Sequence, residues 1–232
     1  MMEMTAKSKK VLHAQVEALS RKVEHFNKTE LESLILMFNS LMAEQVSRGR
    51  PANGLKRGKF RGLLQGTFEM TNAVMMDGVF RSFDKDGHGV IILEEWIRGL
   101  AVFLRGTIEE KIMHTFRVYD LNNDKFISKD EIFHMLKHSF IKWPSEEDPD
   151  EGIKDVVEIT MKKMDLDHDG LLSFDDFQKS VLDENLFLQA FGPCLPDNTV
   201  ISQITGLKHS TVETLLIHVA FCCPETRQFK QK

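Results

Sequence analysis

An acidic twelve-residue segment framed by apolar, helix-forming sequence occurs three times in this chain, and no other feature constrains the fold as strongly. The segments run at 84–95 (DKDGHGVIILEE), 120–131 (DLNNDKFISKDE) and 165–176 (DLDHDGLLSFDD). Their starts lie 36 and 45 residues apart. The longer interval holds a polar insertion, KWPSEEDPDEG (142–152), which reads either as a linker or as an extended helix turn. Each segment follows a pair of large apolar residues: Phe80 and Phe83, Phe116 and Tyr119, Met161 and Met164.

Calcium is a hard cation that takes six to eight oxygens, and one short loop can supply most of them. Side chains serve at positions 1, 3 and 5, a backbone carbonyl at 7 and a bidentate carboxylate at 12, around a sharp turn at 6. The loop at 120–131 offers Asp120, Asn122, Asp124, the Phe126 carbonyl, Ser128 and Glu131. Its defect is Lys125 at position 6, where a Cβ at positive φ costs roughly 1 kcal/mol or more. The loop at 165–176 offers Asp165, Asp167, Asp169, the Leu171 carbonyl, Ser173 and Asp176, with Gly170 at the turn. Asp176 is one methylene shorter than glutamate. A poorer bidentate reach follows, and with it tolerance of magnesium, which demands octahedral geometry. The loop at 84–95 offers Asp84, Asp86, His88, the Val90 carbonyl and Glu95. His88 suits a hard ion poorly and Ile92 at position 9 carries no oxygen, so this loop is expected to bind weakest. One acidic turn of this spacing can be accidental. Three, each with an apolar residue at position 8 (Ile91, Ile127, Leu172), point to EF-hand calcium loops.

EF-hands come in pairs, because the short strand in each loop needs a neighbour. Three loops therefore imply a fourth, and the basic segment 43–59 (AEQVSRGRPANGLKRGK) supplies it in degenerate form. Counting back from Lys59 and Phe60 puts Arg48, Arg50 and Lys59 at positions 1, 3 and 12 and Leu55 at position 8, and cations there repel calcium. The expected fold is all-α: an EF-hand protein with two lobes of paired helix–loop–helix motifs and short paired β-strands between loops. The N-terminal lobe is expected over 1–105, with a helix over 8–26, the degenerate hand over about 29–65 and an EF-hand over about 74–104. A C-terminal lobe over 106–190 and a tail over 191–232 follow. The first helix rests on Val11, Leu12, Val16, Leu19 and Val23 at helical spacing. The second is expected to start at Thr29, capped with Glu32, and a short tail helix at 210–223 with Ser210 and Glu213.

Several function classes are excluded. A net charge of −5 and a pI near 6.0 give no pull toward nucleic acid. No apolar run reaches the length of a membrane span. The start, MMEMTAKSKK, lacks an apolar signal core, and Met2 stands where N-myristoylation needs glycine. Cys194, Cys222 and Cys223 form no disulfide framework and fit a reducing compartment, so a cytoplasmic protein is expected. No phosphate loop, glycine-rich cofactor motif or nucleophile motif appears, so the chain is expected not to be an enzyme. His134 and His138 share a helix face, but no further pattern completes a zinc site. The Cys222–Cys223 pair reads as packed or as a palmitoylation site. Met70, Met75, Met76, Met113 and Met135 read as core or as the lining of an opening groove. Arg48, Arg50, Lys56, Arg57, Lys59 and Arg61 read as a solvated loop or as a dock for an acidic surface.

Six segments carry a further signal: HFNKTE (25–30), VFRSFDKD (79–86), FLRGTIEEK (103–111), EEDPDEGIKD (146–155), VEITMKKMD (157–165) and AFGPCLPD (190–197). They resemble the calaxin family, EF-hand proteins of motile cilia and flagella, with EEDPDEGIKD and AFGPCLPD the most specific. The chain is more distantly similar to neuronal calcium sensors and calcineurin B. The resemblance implies a calcium sensor in the axoneme of a cilium or flagellum. Its implied partners are the outer-arm dynein heavy chain, the docking complex and doublet microtubules. The distant likeness implies an alternative, a calcineurin B-like regulatory subunit. The chain departs from the family pattern at His88 and Ile92, in the 43–59 segment and after Asp197. The apolar face of 210–223 (Val212, Leu215, Leu216, Val219) is either an internal competitor for the partner's groove or an appendage.

Overall fold

In the computed structural model, residues 6–45, 53–137, 150–191 and 194–196 are described. Helix α1 (Ala6–Ser20) is followed by α2 (Lys28–Gln45), strand β1 (Leu55–Lys56) and α3 (Arg57–Phe68). Next come α4 (Ala73–Phe83), β2 (Val90–Ile91), α5 (Leu93–Arg105) and α6 (Ile108–Tyr119). The last stretch holds β3 (Phe126–Ser128), α7 (Lys129–Leu136), α8 (Glu151–Met164), β4 (Leu171–Ser173), α9 (Phe174–Asp183) and α10 (Phe187–Ala190). The fold is the all-α EF-hand arrangement. Strand β1 pairs antiparallel with β2, and β3 with β4. The register sets Leu55 against Ile91 and Ile127 against Leu172, the four residues at position 8 of their loops.

Two units form by contact. One contains residues of 1–70 and 83–105; the other contains 71–82 and 106–195. The dividing line falls inside α4, so ten of its residues group with the second unit and Phe83 with the first. In the first unit, Leu31, Leu34, Ile35 and Phe38 of α2 are buried beside Phe60, Trp96 and Phe103. The rings of Phe60, Phe83 and Phe103 stack edgewise or tilted, with centroids 5.0 and 6.0 Å apart in sequence. In the second unit Phe116 packs on Phe177 at 5.7 Å, and Phe177 on Phe191 at 4.9 Å. The methionines Met70, Met75, Met76 and Met135 are buried, and Met113 is exposed at its rim. Among the described residues no helix is long and apolar enough to cross a membrane.

Three helix boundaries depart from expectation. Helix α1 ends at Ser20 rather than at residue 26, because Lys22 and Val23 turn back to the Leu19 carbonyl (2.9 and 3.0 Å). Val23 and Phe26 are buried in the turn beyond it, whereas Val11 lies 52% exposed, outside the buried stripe of Leu12, Val16 and Leu19. The capping box of α2 is formed by Asn27 and Glu30, not Thr29 and Glu32. The Asn27 Oδ1 accepts from the Glu30 amide (2.9 Å), and Glu30 Oε2 accepts from the Asn27 amide (3.0 Å). Third, α2 runs on to Gln45, and the basic segment gives up its end to β1 and α3. Arg48, Arg50, most of the 142–152 insertion, Cys222, Cys223 and the 210–223 helix lie outside the described residues. Glu151 and Gly152 form the first turn of α8.

Why the α2 cap sits at Asn27 is settled by a tertiary contact. Arg105, at the end of α5, makes a forked ion pair with Glu30 (2.7 and 3.0 Å) and donates to the His25 carbonyl (2.8 Å). Its guanidinium lies over the Phe26 ring at 5.1 Å. Burial alone raises the Glu30 carboxyl, but Arg105 and the Asn27 amide overcome it and hold the group below its ordinary value of 4.5. A depressed folded value favours the ionised form in the folded state. The stabilisation is therefore complete above pH 4.5 and is lost as pH falls through the folded value. Glu30→Gln is expected to destabilise the protein by about 2 kcal/mol at neutral pH. It should also remove part of the acid-side fall in stability. Urea denaturation at pH 7 and pH 4 checks both, and a variant as acid-sensitive as the unmodified chain contradicts this account.

Candidate metal centre

Each loop is shaped by backbone turns that only certain residues tolerate. All three put positions 4 and 6 in the left-handed region: Gly87 and Gly89, Asn123 and Lys125, His168 and Gly170. Asn123 (φ 60°), Lys125 (φ 73°) and His168 (φ 61°) occupy it with a Cβ, and at Lys125 this is the strain its position implied. Position 4 carries no such signal in the sequence except a preference for glycine or asparagine, and it was not read as a turn position.

The position-1 aspartate organises each loop. Asp84 accepts from His88 N (2.9 Å) and Gly89 N (2.7 Å). Asp120 accepts from Asp124 N (3.2 Å) and Lys125 N (3.1 Å), and Asp165 from Asp169 N (3.2 Å) and Gly170 N (2.9 Å). These three aspartates are buried, while Asp86, His88, Asn122, Asp124, Asp167 and Asp169 are exposed at the rims. At 165–176 the carboxylates of Asp165, Asp167 and Asp169 bring one oxygen each within 4.8 Å of the others, the spacing of a shared cation. It is the one such group of side chains among the described residues. The Val90, Phe126 and Leu171 residues of position 7 stand on β2, β3 and β4.

The loops at 120–131 and 165–176 differ electrostatically. Burial raises the Asp120 carboxyl above its usual range; the Lys125 and Asn123 amides oppose this, and the charges of Asp124 and Glu131 add to it. Burial likewise pushes Asp165 up, but the amides of Gly170, His168 and Asp169 outweigh it and leave the group lowered. A cation between Asp120, Asp124 and Glu131 relieves the repulsion that raises Asp120.

Position 12 has two roles. Glu131 Oε1 accepts from Leu121 N (2.9 Å) and Oε2 from Ser128 N (2.8 Å), while Ser128 Oγ accepts from Glu131 N (3.3 Å). Ser128 and Glu131 are thus the capping box of α7. Ser173 and Asp176 make the same box for α9, with Ser173 Oγ to Asp176 Oδ2 at 2.6 Å. Glu95 spans its loop from Asp86 N (3.3 Å) to Ile92 N (3.0 Å). Glu95 and Glu131 reach the entering side of their loops. Among the described residues Asp176 accepts only from Ser173, as its shorter side chain implies. S-x-x-E at 128–131 and S-x-x-D at 173–176 carry this box in the sequence, in residues whose ligand spacing masks their capping role. In the degenerate hand Lys59 at position 12 pairs with Glu44, and β1 precedes a cap at Lys56 with no side-chain bond. His134 is exposed, and His138 lies outside the described residues.

Relief of the left-handed strain gives a direct test. Lys125→Gly should stabilise the protein by about 0.5–1 kcal/mol, the gain in the folded loop less the entropy glycine adds to the unfolded chain. Lys125→Ala keeps the Cβ and should give no gain. Equal midpoints for the two variants in thermal denaturation contradict the strain.

The loops at 120–131 and 165–176 lie in the stretch, residues 109–182, that matches an EF-hand domain pair as a family; the loop at 84–95 lies before it. The calaxin of Xenopus laevis is 54% identical over 199 residues, 84% of this chain and 93% of that protein. The calaxins of Danio rerio and Homo sapiens are each 55% identical over 190 residues, 82% of this chain and 90% of theirs. With that identity over that span, the chain belongs to the calaxin family of EF-hand calcium-binding proteins.

Proposed function

We propose that the chain is a calcium sensor and adaptor of the ciliary or flagellar axoneme that associates with outer-arm dynein and helps dock or regulate it on doublet microtubules. It works by binding and not by catalysis. Calcium is held by Asp120, Asn122, Asp124, Phe126, Ser128 and Glu131 and by Asp165, Asp167, Asp169, Leu171, Ser173 and Asp176. Asp84, Asp86, His88, Val90 and Glu95 form a weaker site, and magnesium competes at 165–176. One observation carries the sensor reading: Glu131 and Asp176 cap α7 and α9 from within the loops. An ion that draws those carboxylates inward moves the first turn of each exiting helix with them, and a moved helix changes what its apolar face meets. Residues Ile132, Met135, Leu136 and Phe177 are buried on those helices and become the responsive surface. A partner that prefers one arrangement must in turn change calcium affinity. Membership of the calaxin family supports the axonemal setting.

Calorimetry should find two tighter calcium sites and one weaker site, with none lost on Arg48→Ala. Glu131→Gln should weaken the 120–131 site about tenfold or more, since it removes a charged bidentate ligand. Asp176→Glu should raise the preference for calcium over magnesium at 165–176. Crosslinking mass spectrometry on isolated axonemes should join the chain to dynein. Crosslinks to a phosphatase catalytic subunit and none to dynein favour the calcineurin B-like alternative.

A further inference from the structure

We propose that Gln45 is a positioning residue for the calcium loop at 84–95: its side-chain amide holds strand β1, and through it strand β2 and the Val90 carbonyl, in the geometry that loop needs. The proposal rests on the reading of 84–95 as a calcium site. The degenerate loop cannot use an ion to hold its strand, because Arg48, Arg50 and Lys59 stand at its ligand positions. Something else must fix β1. Gln45, the last residue of α2, accepts from Lys56 N through Oε1 (2.9 Å) and donates from Nε2 to the Gly54 carbonyl (3.2 Å). In an extended strand the carbonyl of one residue and the amide of the second residue on face the same side. Gln45 therefore takes the side of β1 that the ladder to β2 leaves open, and it makes the two hydrogen bonds a third strand would make. Its orientation is fixed by chemistry, since the Lys56 amide only donates and the Gly54 carbonyl only accepts.

The other side of β1 is equally tight. A Cβ at Gly54 would stand 2.8 Å from the Ile91 carbonyl oxygen and 3.0 Å from the Val90 side chain, so only glycine lets β1 approach β2 this closely. Leu55 and Lys56 then pair with Ile91 and Val90, the position 8 and position 7 residues of the calcium loop. The Lys59–Glu44 ion pair ties the first turn of α3 to the end of α2 and steadies the same hand. The loop served is the one with the weakest ligands, His88 and Ile92. A weak loop gains most from a strand partner already in place, because its apparent affinity falls with the fraction of molecules that hold the binding geometry.

The test follows the backbone amides of Gly89 and Gly170 in the full-length ¹⁵N-labelled protein through a calcium titration. Each donates to the position-1 aspartate of its own loop (2.7 and 2.9 Å), so each reports one site. Gln45→Ala should weaken the Gly89 midpoint about fivefold and leave Gly170 unmoved. Gln45→Glu keeps the acceptor and loses the donor, and should fall between. An unmoved Gly89 midpoint in both variants overturns the proposal, as does an equal shift at Gly89 and Gly170, which marks a general loss of structure. A Gly89 amide that ignores calcium in the unmodified protein, while Gly170 responds, overturns the calcium reading of 84–95 and the proposal with it.

Discussion

A strand of two or three residues cannot satisfy its own backbone groups, and each loop here contains one. The ladders set Leu55 against Ile91 and Ile127 against Leu172, with all four side chains fully buried. Each pairing brings two loops together back to back, and the helices that enter and leave them then have few ways to pack. This is why the degenerate hand persists as a hand. Lys59 at position 12 is cationic and paired with Glu44, yet β2 still finds its partner in Leu55 and Lys56, and Gln45 and Gly54 hold that strand on its two sides.

The second constraint is that one carboxylate serves two masters. At the start of α7 and α9, position 12 is both the last ligand of the loop and the third residue of the helix. Four amides there lack intrahelical partners. Glu131 and Asp176 answer part of that need by capping, and Glu131 also reaches the Leu121 amide on the entering side of its loop. The residue that fixes the first turn of each exiting helix is therefore also part of the loop. In the loop at 84–95, Ile92 replaces the serine at position 9, so Glu95 bonds the Ile92 amide without the reciprocal hydroxyl. That hand has the backbone half of the cap alone.

The loops were legible in the sequence because their chemistry is local: twelve residues carry the ligands, the turn and the strand, and spacing suffices to find them. Position 8 even predicted which residues would pair. Helix ends were less legible because they are decided by competition. Thr29 with Glu32 and Asn27 with Glu30 are both acceptable capping boxes, and the sequence ranks them alike. Arg105 breaks the tie, seventy-five residues away, by forking onto Glu30 and the His25 carbonyl. Periodicity likewise placed Val11 among buried residues, but the stripe that meets α2 is narrower and leaves it half exposed. The left-handed turn at position 4 stayed hidden because Gly87, Asn123 and His168 share no chemistry, only a tolerance.

Between the loops, several of the segments of family resemblance form clamps. HFNKTE and FLRGTIEEK meet where Arg105 grips Glu30 and the His25 carbonyl. VFRSFDKD places Ser82 against His114 Nδ1 (3.1 Å), and AFGPCLPD places the Cys194 carbonyl against His114 Nε2 (3.1 Å). Tyr119 donates to the Phe191 carbonyl, and the Cys194 thiol meets Thr115 Oγ1 at 3.4 Å. Burial pushes that thiol up to about 11, with the Thr115 bond a smaller opposing effect, so Cys194 packs as an inert group rather than a reactive one. A buried histidine bonded at both nitrogens and a buried glutamate forked by a half-buried arginine tolerate few substitutions, since removing one partner strands the other. The loops are thus mounted on side-chain fastenings that lie outside them.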